Sequence, residues 1–142
     1  MSKQKISGQF APRLIEMLRS PAYRALSLSG HRVLACLEIE LARRGGKDNG
    51  DLICTYADLA RYGIRRDGIA PAVREVVALG FVEITEQGQA GVGDHRRATR
   101  YRITYCETSP KGRSHEWRRI ETTEEADAVA RAARANRKEM MK

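Results

Sequence analysis

The sequence predicts an α+β domain, and three observations carry that prediction. Across "RRDGIAPAVREVVALGFVEIT", residues 65–85, apolar residues recur at helical spacing up to Leu79 and alternate every second residue after Gly80. The segment "RYRITY", residues 100–105, repeats the alternation expected of a strand. Ser29 and Thr55 each stand just ahead of an amphipathic stripe, where a hydroxyl caps a helix.

Each element follows in chain order. "FAPRLIEMLRSPAYRALSLSG" holds two short helical patterns, each with a proline near its start, where the missing N–H costs nothing. Leu14, Ile15, Met17, Leu18, Tyr23 and Leu26 are the residues expected against the core. From the Ser29 cap, Val33, Leu34, Leu37 and Leu41 form the inner stripe of a long helix that Gly45-Gly46 stops. "KDNG" reads as a turn and "DLICT" as a short strand. Thr55 then caps "YADLARYG", with Asp58 in capping-box position and Tyr56, Leu59 and Ala60 on the inner face. In the next helix Ile69, Ala72, Val73, Val76 and Val77 make an unbroken apolar stripe, and Asp67 is the expected N-cap. "FVEIT" and "RYRITY" are antiparallel strands joined by the Gly-rich basic loop "EQGQAGVGDHRRAT". In the strand "RYRITY", Tyr101, Ile103 and Tyr105 alternate with Arg100, Arg102 and Thr104. After a turn through "TSPKGRSHEW", Thr122 and Glu125 have capping-box spacing ahead of an alanine-rich C-terminal helix. The implied organisation is an N-terminal helical extension at 1–28, a central domain at 29–105, and a linker with the C-terminal helix at 106–142.

Composition narrows the function classes. A chain of 142 residues, 42% hydrophobic, suits one domain with an appended element. It has no apolar run near the ~20 residues a spanning helix needs. "MSKQKISGQF" lacks the apolar stretch of a secretory signal, so the expected location is the cytoplasm. Lys and Arg number 26 against 18 Asp and Glu, a net charge of +8 that suits a polyanion such as nucleic acid, or an acidic membrane surface.

Cys36, Cys54 and Cys106 are odd in number and scattered, which argues against a disulfide framework and against a zinc site. Buried or half-exposed thiols in a reducing compartment are the expectation. His31, His95 and His115 are equally scattered, so neither metal nor cofactor is expected. The glycines of "GQAGVGD" match no phosphate-binding spacing and precede a strand rather than a helix. No nucleophile and base share a recognisable signature, so the chain is not expected to be an enzyme.

The order of elements, carried by "NGDLICTYADLARYGIRRDGIAPAVREVVALGFVEITEQGQ", resembles the winged helix-turn-helix domain over roughly residues 30–105. The ending "VREVVALGFVEI" is similar to that family's succession of apolar helix, glycine and hydrophobic strand. With "SPAYRALSLSGHRVL", the whole chain looks like small bacterial phage and plasmid proteins with replication or regulatory roles. The resemblance implies a three-helix core with a small antiparallel β-wing, flanked by N-terminal short helices and a C-terminal helix.

It also implies sequence-specific binding of double-stranded DNA, in transcription control or mobile-element replication, with the protein nucleoid-associated when bound. On the helix, the implied contacts are Arg65, Arg66, Asp67, Ala70 and Arg74, with small Ala70 and Pro71 permitting close approach. An arginine there fits guanine bidentately or clamps a phosphate. On the wing they are Gln89, His95, Arg96, Arg97 and Arg100, beside the groove. For each, the plainer reading is a solvated surface residue. The alternative function is a winged-helix protein-interaction module with only non-specific nucleic-acid affinity. A homodimer is also open, through the N-terminal helices or the C-terminal one. The sequence names no effector ligand.

Overall fold

Two serines organise the start of the chain. In the computed structural model, which describes residues 7–88, 98–107 and 112–135, Ser20 ends helix α1 (Ile15–Arg19) and caps helix α2 (Pro21–Arg24). Its Oγ accepts from Tyr23 N (3.2 Å) and donates to Met17 O (2.6 Å). With so little length, α1 turns one residue, Met17, fully inward, while Leu14 and Ile15 stay 45% and 64% exposed against expectation. Helix α3 (Leu28–Arg43) is capped two residues before the Ser29 expected to cap it. Ser27 is the cap, its Oγ accepting from Gly30 N at 3.0 Å. Val33, Leu34, Cys36 and Leu37 of α3 are buried.

After α3 the chain makes no full strand at "DLICT". Leu52 forms a single bridge to Tyr101, exchanging both backbone hydrogen bonds (2.9 and 3.2 Å). Upstream, the buried Asn49 carboxamide takes the place a strand residue would occupy: Oδ1 accepts from Ile103 N (2.8 Å), and Nδ2 donates to Ile103 O (2.9 Å) and Cys106 O (3.2 Å). Cys54 is joined to Cys36 in a disulfide, with Cα atoms 7.0 Å apart and a sequence separation of 18. This corrects the expectation of free thiols at both positions. The linkage ties α3 to the residue just before the next helix cap, a pairing no sequence spacing encodes.

Helix α4 (Tyr56–Arg61) has the predicted capping box: Asp58 N donates to Thr55 Oγ1 (3.1 Å) and Thr55 N donates to Asp58 Oδ2 (2.9 Å). Leu59 is its buried anchor, while Tyr56, expected inside, is 52% exposed. Helix α5 (Arg66–Ala78) is capped from Arg65 rather than Asp67, which lies in the first turn, and it carries Pro71 within its length. Its apolar stripe is buried as predicted at Ile69, Ala72, Val73 and Val76.

Gly80, at φ +90°, turns the chain into strand β1 (Val82–Glu86), which pairs antiparallel with β2 (Arg100–Ile103) in the register Val82↔Ile103 and Ile84↔Tyr101. A bulge follows Ile84. The face of β2 that carries Arg102 is covered. Arg102 and Thr104 are buried beneath a 3₁₀ turn, η1 (Glu116–Arg119). Arg102 meets Glu83 (3.0 Å), Ser114 Oγ (2.8 Å) and Glu116 (2.6 Å) there, while Trp117 enters the core.

Helix α6 (Thr123–Ala135) begins where the capping spacing places it, Glu125 N donating to Thr122 Oγ1 at 3.1 Å. The result is an α+β domain with six helices and a two-stranded antiparallel sheet among the described residues. That element order is compatible with a winged-helix-like layout. One contiguous core takes in Met17 and Ala22 at one end and Trp117, Ala126 and Ala130 at the other. No helix among the described residues is long and apolar enough to cross a membrane.

Candidate nucleic-acid interface

The turn between α4 and α5 is held from below and left open above. Gly63 adopts φ +95°, a backbone that disfavours side chains, and buried Ile64 anchors the turn to the core. Arg32 of α3 reaches across, Nη1 donating to Gly63 O at 2.6 Å. With both sides of the turn fixed, the α5 N-terminus projects outward.

At that end the side chains are uncommitted. Arg65 is 87% exposed and meets only Asp67, loosely, at 3.5 Å. Arg66 is exposed and has no hydrogen bond or ion pair among the described residues. Asp67 is exposed in the first turn, where a carboxylate suits the helix dipole, and Ala70 is half-buried one turn on. Arg61, which the sequence reading did not single out, stands exposed in the last turn of α4 and pairs with Asp58. The Thr55 backbone N–H, opposed in part by burial, holds the Asp58 carboxyl below the usual carboxylate range. The signal for Arg61 was its place immediately ahead of the helix-ending "YG".

Arg74 is elsewhere. Predicted to reach outward, it instead donates from Nε to Ala133 O (2.7 Å) and from Nη2 to Arg134 O (2.8 Å), closing the last turn of α6. Beside it Glu75 is fully buried. One oxygen accepts from Ser27 N (2.8 Å) and Ser27 Oγ (3.0 Å), and the other accepts from Arg134 Nη1 (2.6 Å). The face of α5 opposite its core stripe is therefore shared. Its first turn is open, and α6 lies against its second half.

On the hairpin, Arg100 is about one-third exposed and pairs with Glu86 (3.3 Å) and Asp51 (3.9 Å), which offsets much of its charge. Gln89, His95, Arg96 and Arg97 lie outside the described residues. The base of the hairpin is closed by Gly88 N donating to Thr99 Oγ1 at 3.0 Å.

Other chemistry-bearing groups are structural. Burial pushes the Cys106 thiol up to about 11, so it stays protonated at neutral pH. The buried His115 ring accepts from Trp117 Nε1 at 3.1 Å. No group of three or more His, Cys, Asp or Glu among the described residues is placed to hold a metal ion. Comparison of the chain with protein-family models, curated proteins and solved structures finds no match.

Proposed function

We propose that this chain is a winged helix-turn-helix protein that binds double-stranded DNA, as a transcriptional regulator or in replication of a mobile element. The observation that carries the reading is the pair Arg65 and Arg66, exposed on the open first turn of a helix whose other side is core. In helix-turn-helix docking the N-terminal residues of the second helix meet the base edges, so coverage of the second half of α5 leaves the reading end free. Arg65 and Arg66 supply guanine or phosphate contacts, Asp67 accepts from a cytosine amino group, and Ala70 permits close approach. Free N–H groups in the same turn favour a phosphate. The sequence of the hairpin loop adds His95, Arg96 and Arg97 to the same partner. Arg74, held by α6, is not among the contacts while α6 stays in place.

The test is a fluorescence-anisotropy titration with a mixed-sequence duplex at several salt concentrations, followed by selection from random duplexes. Affinity should fall steeply with salt, with a log–log slope of about −0.9 per phosphate neutralised. The double substitution Arg65→Ala/Arg66→Ala should cost on the order of 2–4 kcal/mol if each arginine meets a base. A charge-matched control, Arg19→Ala/Arg24→Ala, should lose far less. Equal losses for the two pairs would reduce the interaction to general charge attraction.

A further inference from the structure

The DNA-binding reading leaves one arrangement unexplained: a basic residue at the centre of α5's outer side is spent on the end of another helix. Arg74 gives two parallel N–H donors to the Ala133 and Arg134 carbonyls. Those carbonyls belong to the last described turn of α6, on the side where the helix dipole places partial negative charge. This is the fork geometry with which arginine grips two oxygens of a phosphate. Resting on that reading, we propose that α6 is a displaceable cover on α5, its C-terminal carbonyls occupying Arg74 until a phosphate backbone competes for the same guanidinium.

The contacts holding α6 fit a part that leaves. Its fully buried side chains are two alanines, Ala126 and Ala130, the smallest apolar groups a helix can bury. Val129 adds a partly buried apolar contact, and the attachment to α5 also includes polar bonds: the two from Arg74 and the Arg134–Glu75 pair. Glu75 is not stranded by departure. It keeps both bonds from Ser27, and the vacated side opens to water. Trp117, in the core just upstream, keeps the chain ahead of α6 in place. A helix as short as α6 is marginal in water once undocked, so release and fraying are coupled. The apparent affinity for DNA is then the intrinsic one reduced by the fraction of molecules with α6 released.

The test uses the full chain and a fluorescein-labelled mixed-sequence duplex, with hydrogen exchange read across residues 126–134. Ala130→Gln forces a longer, polar side chain into a closed site without altering charge; Arg134→Gln, which breaks the pair with Glu75, is the second variant should the first fail to fold. Addition of duplex to the wild-type chain should accelerate exchange in α6, and the variant should bind about fivefold or more tightly, the lower end of typical coupling between sites. Binding by the variant where the wild type shows none supports the cover equally. Wild-type binding that depends on Arg65 and Arg66, with α6 exchange unchanged and variant affinity equal, overturns the cover and leaves DNA binding standing. Absence of binding by every form at low salt removes both.

Discussion

Replacing Gly30 by alanine should destabilise this protein, although alanine is the better helix former. Gly30 sits in the first turn of α3, and a Cβ there would collide with Glu75 Oε2 and come within 3.1 Å of Leu26 Cδ2. Exchange of an interior glycine for alanine ordinarily gains about 1 kcal/mol. Here the carboxylate has no solvent to retreat to, being fully buried, and displacing it breaks its bonds from Ser27 N and Ser27 Oγ. Bonds to a charged group contribute about 1.5–3 kcal/mol each, so the net loss should be about 2–5 kcal/mol after the helix gain is deducted. For a chain of this size that lowers Tm by about 6–15 °C. Urea denaturation followed by circular dichroism measures it. The cause is tested by repeating the exchange in a Glu75→Ala background, where the obstacle is gone and Gly30→Ala should become neutral or stabilising. A Gly30→Ala protein more stable than wild type would refute the assignment of Glu75 as the obstacle.

Three further expectations follow from the same contacts. Gly80→Ala places a Cβ 2.6 Å from the backbone of Glu116 and Trp117 at a φ of +90°, so a loss of about 3 kcal/mol or more is expected, and a thermal midpoint near wild type would contradict it. Burial holds the His31 and His115 imidazoles below their ordinary value of 6.5. The unfolded chain therefore takes up these protons first, so stability is complete above about pH 6.5 and declines as pH falls below it. A urea midpoint that rises on acidification would contradict this. The Cys36–Cys54 disulfide closes a short loop, so Cys36→Ser/Cys54→Ser should cost about 3 kcal/mol. Thiol alkylation in denaturant without reductant, read by mass spectrometry, checks the linkage itself, and labelling of all three cysteines would exclude it.

Much of the fold is local in origin, and those parts were legible. The Thr55–Asp58 capping box, the valine stripe of α5, the change of period at Gly80 and the hydroxyl of Thr122 all depend on neighbours within a few residues. The misreadings have a common cause in long-range partners. Periodicity correctly turned Arg74 away from the core stripe, but nothing within its own helix records that α6, some 60 residues later, lies there. Arg102 alternates as a solvent-facing strand residue should, yet η1 covers that side. Ser29 and Ser27 are equally good caps by type. The choice fell to Ser27 because Glu75, distant in sequence, receives both its N–H and its hydroxyl proton. At the candidate interface, the exposure of Arg65 and Arg66 was legible because both stand off the apolar stripe at the start of α5.

The carboxamide of Asn49 has a consequence for how copies of this protein behave in a crowded solution. One margin of β2 is bonded to β1, and along the other Leu52 and Asn49 already satisfy Tyr101 and Ile103. An incoming extended chain finds no vacant N–H or C=O at those two residues to pair with, so templated stacking of hairpins along that margin is blocked. One bridging residue and one side chain, standing in for a missing strand, thereby guard that side of the ribbon against recruitment into larger sheets.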